Sequence, residues 1–420
     1  MGRYYGTVFA RRTLRLASIL GIASLTALNA WDMATPGLLD RAGRLKCPDF
    51  LQFYTYGSLV RAGESAALYD PAAHARVARS RVDSRLTLEQ FHPNYSPVVA
   101  WIFAPFAGLP YLDAMALWAI LSWLLCCVGL ALLLPLAPRL AADPVSFWLV
   151  AAAWPTTFVV LRYGQLSALS MLWIAVSVRL AARDWSLLAG LALGCLAYKP
   201  NLLVVPALVF LFAGQWRLLT GMLVGASVQI AVSIAGIGWT VFAEYLRVLS
   251  AIAQHPEVVQ LYPAESHSVA GQLRLWSAPA ALVEAGTLVG LTVAVWLASR
   301  VWRATADPRP RWAALVIAAL VASPHLLTYD LLLLAVPLVL LTDWRWETTG
   351  RLPVEGWLVT LLLLYLGAMP GTMLARIYGV QCSTVGMCLG LWLLVQASPS
   401  RAGSIAGAGA SSSMSPIMSS

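Results

Sequence analysis

The feature that most constrains this chain is a succession of long apolar runs recurring from residue 14 to residue 396, most of them separated by short loops. A hydrocarbon core of about 30 Å takes roughly 20 apolar residues per helix. Lipid cannot hydrogen-bond a backbone, so each run must satisfy its own polar groups as a helix. The ~10-residue alternation of a membrane β-barrel is absent. Composition agrees, since 60% of the 420 residues are hydrophobic and 11% are charged, against about 25% charged in soluble domains. The expected fold class is an all-α polytopic membrane protein.

The first run, Leu14 to Trp31, follows Arg3, Arg11, Arg12 and Arg15. A cleaved signal peptide competes with a retained first helix. The lack of a small-residue cleavage site favours retention, with the N-terminus in the cytoplasm. The outer loop 32–109 then carries two short helices. One starts near Pro48 and sets Phe50, Phe53, Tyr54 and Gly57 on one face. The other has Asp70 as N-cap and Pro71 at its first position. Both are expected to lie along the membrane surface. Pro97 to Leu109 is too short and proline-rich to span, and reads as re-entrant or interfacial. Later spans are expected at Tyr111–Leu136, Val145–Leu161, Leu166–Ala182, Trp185–Tyr198, Leu202–Trp216, Leu218–Ile237, Ala278–Ser299, Trp312–Ala322, Leu326–Leu341, Val354–Met369 and Val380–Ala397. With the first run these make about 12 transmembrane helices in one unit, residues 1–397. The Ser/Gly/Ala-rich segment 398–420 reads as a disordered cytoplasmic tail.

Loop arginines test this topology. Arg139, Arg179, Arg183, Arg217, the Arg300–Arg311 cluster, Arg345, Arg351 and Arg401 fall on the side of the N-terminus, as the positive-inside rule requires. The net charge of +9 therefore reads mainly as loop charge that sets orientation. No nucleic-acid-binding module appears. None of the six cysteines forms a C-x-x-C pair, so zinc and redox motifs are unsupported.

The same topology gathers the unusual polar residues on the outer face. They are Asp49, His92, Arg162, Gln165, Lys199, His267, Arg274, His325, Tyr329 and Arg376. Ionisable groups at membrane depth are costly and point to function. Each alone reads equally as a helix-end or snorkelling residue. As a set they offer a carboxylate suited to act as general base and cations suited to bind phosphate. That combination fits group transfer from a phosphate-activated donor held in lipid. Nucleotide-binding, metalloprotease and hydrolase motifs are missing, which argues against an ATP-driven pump. The three histidines lie far apart in sequence, and neither a metal nor a cofactor is expected.

These segments resemble glycosyltransferase family 87, the polyprenol-phosphate-mannose-dependent mannosyltransferases of the GT-C fold class. The resemblance runs from Trp31 to about Pro337. It rests on Pro48-Asp49-Phe50 with Tyr54, Gly63 and Leu68-Tyr69-Asp70-Pro71, and on Phe91-His92-Pro93-Asn94-Tyr95-Ser96-Pro97. Gly164-Gln165, Lys199-Pro200 and Ser323-Pro324-His325 with Tyr329 complete it. It implies a hexosyltransferase that takes a sugar, mannose in most of the family, from a polyprenyl phosphate and passes it to a lipid or glycan acceptor. Asp49 would be the catalytic base. Lys199, Arg274 and His325 would lie near the donor phosphate, and Gln165 would contact sugar hydroxyls or orient the donor. His92, Tyr95, Arg162, His267 and Tyr329 complete the expected substrate-binding set. The chain departs from the pattern at Ser266 and His267, where the family commonly has Asn and Gln, and in a reduced stretch from His325 to Asp330. A secondary transporter or lipid flippase is the alternative, although no inverted repeat is visible. A non-catalytic scaffold subunit would leave the polar set without a purpose. The expected setting is the plasma or cell inner membrane, with the site outside the cytoplasm.

Overall fold

The structure is a computed structural model that describes residues 2–85, 93–255, 262–350, 356–368 and 371–397. His92 and the tail 398–420 lie outside the described residues. Among those described there is no strand, only two isolated bridges, Leu39 with Leu45 and Ser266 with Leu327.

The N-terminal third contains α1 (Gly2–Met33), α2 (Pro48–Arg61), α3 (Pro71–Arg81) and α4 (Val98–Phe103). A middle set follows, with α5 (Tyr111–Leu133), α6 (Pro138–Ala141), α7 (Pro144–Ala152), α8 (Pro155–Tyr163), α9 (Ser167–Ala181) and α10 (Ser186–Gly194). Next come α11 (Val204–Phe212), α12 (Trp216–Ile237), α13 (Trp239–Gln254), α14 (Val269–Leu275) and α15 (Ala280–Ala304). The last group is α16 (Pro308–Val321), α17 (Ala335–Thr349), α18 (Gly356–Ala368), α19 (Gly371–Tyr378) and α20 (Cys382–Ala397).

Among the described residues four helices are long and apolar enough to cross a membrane by themselves: Ala10–Met33, Tyr111–Leu136, Trp216–Ile237 and Ala280–Ala304. Two bent pairs raise this to six, α7 with α8 at 47° and α19 with α20 at 100°. The other expected spans appear as shorter helices or as helix joined to 3-10 segments. The interruptions have local causes. Pro155 starts α8 after a break at Trp154, and Pro200 separates the 3-10 turn Cys195–Tyr198 from α11. Pro97, Pro105 and Pro110 likewise leave Val98–Leu109 as a six-residue helix and a 3-10 turn, too short to span.

Packing follows the apolar faces. α16 is buried almost all round, from Trp312 to Val321, and packs against α15, α17 and α20. α10 and α12 make the most intimate crossing. A Cβ on Gly190 would lie 2.1 Å from the Leu218 carbonyl oxygen, and one on Gly221 would lie 2.1 Å from that of Leu187. Small residues allow backbones in lipid to approach this closely. Gly221→Val is therefore expected to force the pair apart. The cost should be about 3 kcal/mol or more, since backbone cannot yield as a side chain tip can. A lower melting temperature and poor recovery of folded protein in detergent would show it; an unchanged melting curve would contradict the crossing.

Run length alone suggests no span between α12 and α15, yet α13 lies there. It is amphipathic, and its Val241, Phe242 and Tyr245 bury against Tyr56, Leu59, Tyr69 and Val77 of the first loop. Its Glu244 and Arg247 face outward and pair with each other at 2.6 Å. The loop helices thus have a protein lid on one side. The expected helix starts are seen: Pro48 opens α2, and Asp70 caps α3 by accepting from the Ala72 N–H at 2.9 Å.

Candidate active site

Asp49 occupies the second position of α2. Cys47, in a left-handed conformation (φ 49°), reverses the chain, and Pro48 presets the first helical turn. The Tyr111 hydroxyl donates to the carbonyls of both Lys46 and Cys47 at 2.9 Å. Behind the carboxylate, Phe50 is fully buried among Tyr54, Phe103 and Tyr111. The aromatic cluster fixes the helix start, whose dipole favours a negative charge.

The side chain facing Asp49 comes from the turn after α8. Gly164 (φ 74°) ends that helix in a left-handed conformation, and its Cα lies so near α2 that a Cβ would sit 2.6 Å from the Phe50 Cβ. Gln165 follows, only 3% exposed. Its Nε2 donates to Asp49 Oδ2 at 2.5 Å, and its Oε1 accepts from the Tyr95 hydroxyl at 3.2 Å. Among the described residues Asp49 Oδ1 accepts no hydrogen bond. Burial pushes the Asp49 carboxyl up to about 6, and the nearby carboxylates Glu265 and Asp330 add to this. The Gln165 hydrogen bond and the Lys199 charge oppose it.

Lys199, expected near the donor phosphate, is paired in the structure. Its Nζ donates to Asp330 Oδ1 at 2.5 Å, and the Ser167 hydroxyl donates to the same oxygen at 2.8 Å. Both charged residues are nearly inaccessible, Asp330 at 1% and Lys199 at 6%. Lys199 also lies 5.3 Å from the Tyr329 ring centre, and Tyr329 packs beside Tyr163. Asp330 is therefore the compensating charge of the site. The sequence signal for it was an isolated carboxylate at the start of an apolar run.

His325 is half-buried and precedes that segment. Burial and the charges of Lys199 and Arg274 hold its imidazole down to about 4, so the ring is neutral at physiological pH. Its Nδ1 finds no hydrogen-bond partner among the described residues. Arg274, in the last turn of α14, reaches the Pro324 carbonyl at 3.5 Å. Asn201 ties Ser323 and the His325 carbonyl together at 3.0 and 3.4 Å.

Two further residues of the expected substrate-binding set, His267 and Arg162, and the polar residue Arg376 have protein partners. His267 is fully buried, with Nδ1 2.7 Å from the Ser383 hydroxyl and Nε2 2.8 Å from that of Thr328. It staples the loop before α14 to α20 and to the Thr328–Leu334 3-10 segment. Arg162 binds two carboxylates, Asp32 at the end of α1 and, at 2.8 Å, Asp40 in the loop that follows. It anchors the polypeptide that leads to Asp49. Arg376, an exposed residue of α19, stands 3.9 Å from Glu265. Glu265 carries no distinguishing sequence pattern, and only folding brings it within electrostatic reach of Asp49. No three His, Cys, Asp or Glu side chains converge on one point among the described residues.

The site therefore brings Asp49, Gln165, Tyr95, Lys199, Asp330, Tyr329, His325 and Arg274 together from both halves of the chain. A half-buried carboxylate with a near-neutral titration point sits beside a compensated cation and a neutral imidazole. Such a set can accept a proton from a hydroxyl and bind an anion. No curated protein and no solved structure matches the chain. The model of glycosyltransferase family 87 matches residues 91–328, which hold every residue of this site except Asp49, Tyr329 and Asp330. That match covers more than half of the 420 residues, and the chain belongs to glycosyltransferase family 87.

Proposed function

We propose that this glycosyltransferase moves a hexose, mannose first among candidates, from a polyprenyl phosphate to a hydroxyl of a lipid or glycan acceptor. The reaction would take place at the outer face of the plasma or cell inner membrane, with the N-terminus in the cytoplasm. The observation that carries this reading is Asp49: a carboxylate at a helix N-terminus, held on one oxygen by Gln165 and titrating near 6. A base of that strength is ionised at neutral pH and still able to hold a proton during attack.

In this reading the acceptor hydroxyl loses its proton to Asp49 Oδ1 as its oxygen bonds to the anomeric carbon. The bond from that carbon to the phosphate oxygen breaks on the opposite side, and polyprenyl phosphate leaves with the electron pair. One displacement inverts the anomeric configuration. The phosphate is a good leaving group, so no second carboxylic acid is needed. Arg274 and His325 would receive it, Arg274 through charge and His325 as a neutral donor. Lys199 contributes with its charge already balanced by Asp330.

The test is direct. Membranes containing the protein receive polyprenyl phosphate carrying labelled mannose, and label is followed into membrane acceptors. Transfer above that of empty membranes supports the reading. No transfer from any polyprenyl-linked hexose, with directional flux of a lipid instead, would replace it with the flippase alternative.

A further inference from the structure

Gln165 lies in a strand of contacts that has a chemical direction. A carboxylate only accepts hydrogen bonds, so the Gln165 amide must turn its NH₂ toward Asp49 and its oxygen away. The Tyr95 hydroxyl meets that oxygen and donates to it. An amide turned the other way would set Oε1 against Asp49 Oδ2 at 2.5 Å, acceptor against acceptor. The amide has no room to serve a sugar, being 3% exposed. Its orientation is further fixed by the left-handed Gly164 beneath Phe50, and the Trp118 indole N–H donates to the Gly164 carbonyl at 2.9 Å.

We infer that Gln165 is a positioning residue of the transfer reaction, held by Tyr95, that occupies Asp49 Oδ2 and leaves Oδ1 as the oxygen that takes the acceptor's proton. The inference rests on Asp49 being the base, and it differs from a role for Gln165 in sugar recognition. Gln165 supplies a hydrogen bond that favours the charged carboxylate against the burial and the neighbouring carboxylates that oppose it. It also fixes which lone pairs face the acceptor.

The predicted signature is in the pH profile. In wild type, kcat/KM falls on the acid side as Asp49 gains a proton. Gln165→Met removes the hydrogen bond, and the acid limb should move upward by about one pH unit. Gln165→Glu sets two carboxyl groups against each other and should move it further. Tyr95→Phe loosens the amide, which keeps only the Leu166 N–H on its oxygen at 3.4 Å, and should give a smaller shift in the same direction. The KM for donor should stay within about twofold in all three, because the amide does not touch the sugar.

Asp49→Asn is measured alongside. If it is inactive while the Gln165 variants lose rate equally at every pH, the positioning role is overturned and the base survives. A selective rise in donor KM would instead return Gln165 to sugar binding. If Asp49→Asn remains active, the base assignment itself fails.

Discussion

Asp49→Asn is expected to lower sugar transfer by about 100- to 10,000-fold, the usual worth of a positioned general base. Asn has the volume of Asp, and its carbonyl oxygen can accept from the Gln165 Nε2 that now donates to Oδ2. The lesion is therefore confined to proton acceptance. Stability should move in the opposite direction to activity. The folded carboxyl titrates at about 6, above its ordinary 3.8. The native state thus binds more protons than the unfolded chain between those values, and stability falls as pH rises through them. At pH 7 the ionised form is fully present and its cost is fully expressed. Removing the charge should leave the variant as stable as wild type or more so, on the order of 1–3 kcal/mol. A catalytic group held against the interests of the fold behaves in this way. Thermal unfolding in detergent at pH 7, run beside the labelled-donor assay, separates the outcomes. Undiminished transfer would remove Asp49 from the mechanism, and a large fall in melting temperature would make it a structural residue.

How far the sequence could be read depends on which physical quantity each element expresses locally. The start of α2 at Pro48, the Asp70 cap and the non-spanning Val98–Leu109 segment are set by proline geometry and side-chain capping, and these are visible within a few residues. Run length measures exposure to lipid, so it finds α5, α12 and α15 but passes over α13. That helix buries Val241, Phe242 and Tyr245 against the first loop and leaves charges outside, a pattern that hydropathy averages away. For the site, the residue types were readable from the sequence and from the family resemblance. Their partners were not. Whether Lys199 is a free cation depends on Asp330, 131 positions later. The carboxylates that pair with Arg162 and the hydroxyls that meet His267 are likewise distant in sequence. Partnering across such separations is a property of packing, which local pattern does not encode.

The Lys199–Asp330 pair gives the second large effect. Each partner alone is an uncompensated charge at a site where water has little access, with exposures of 6% and 1%. Lys199→Met should therefore cost about 3–5 kcal/mol, and Asp330→Leu about as much, because breaking a buried pair leaves the desolvation of the survivor unrelieved. The double variant Lys199→Met with Asp330→Leu removes both charges and should recover most of the loss. A coupling of that size in a double-mutant cycle would establish the pair as one unit. Equal and additive losses would show instead that the two residues act independently. Activity of the double variant then carries separate information. If it folds and transfers sugar, the pair serves chiefly to join the turn at Lys199 to the Thr328–Leu334 segment. If it folds and fails, with donor KM raised, the lysine charge reaches the phosphate even though Asp330 balances it, and the anion site is shared by Lys199, Arg274 and His325.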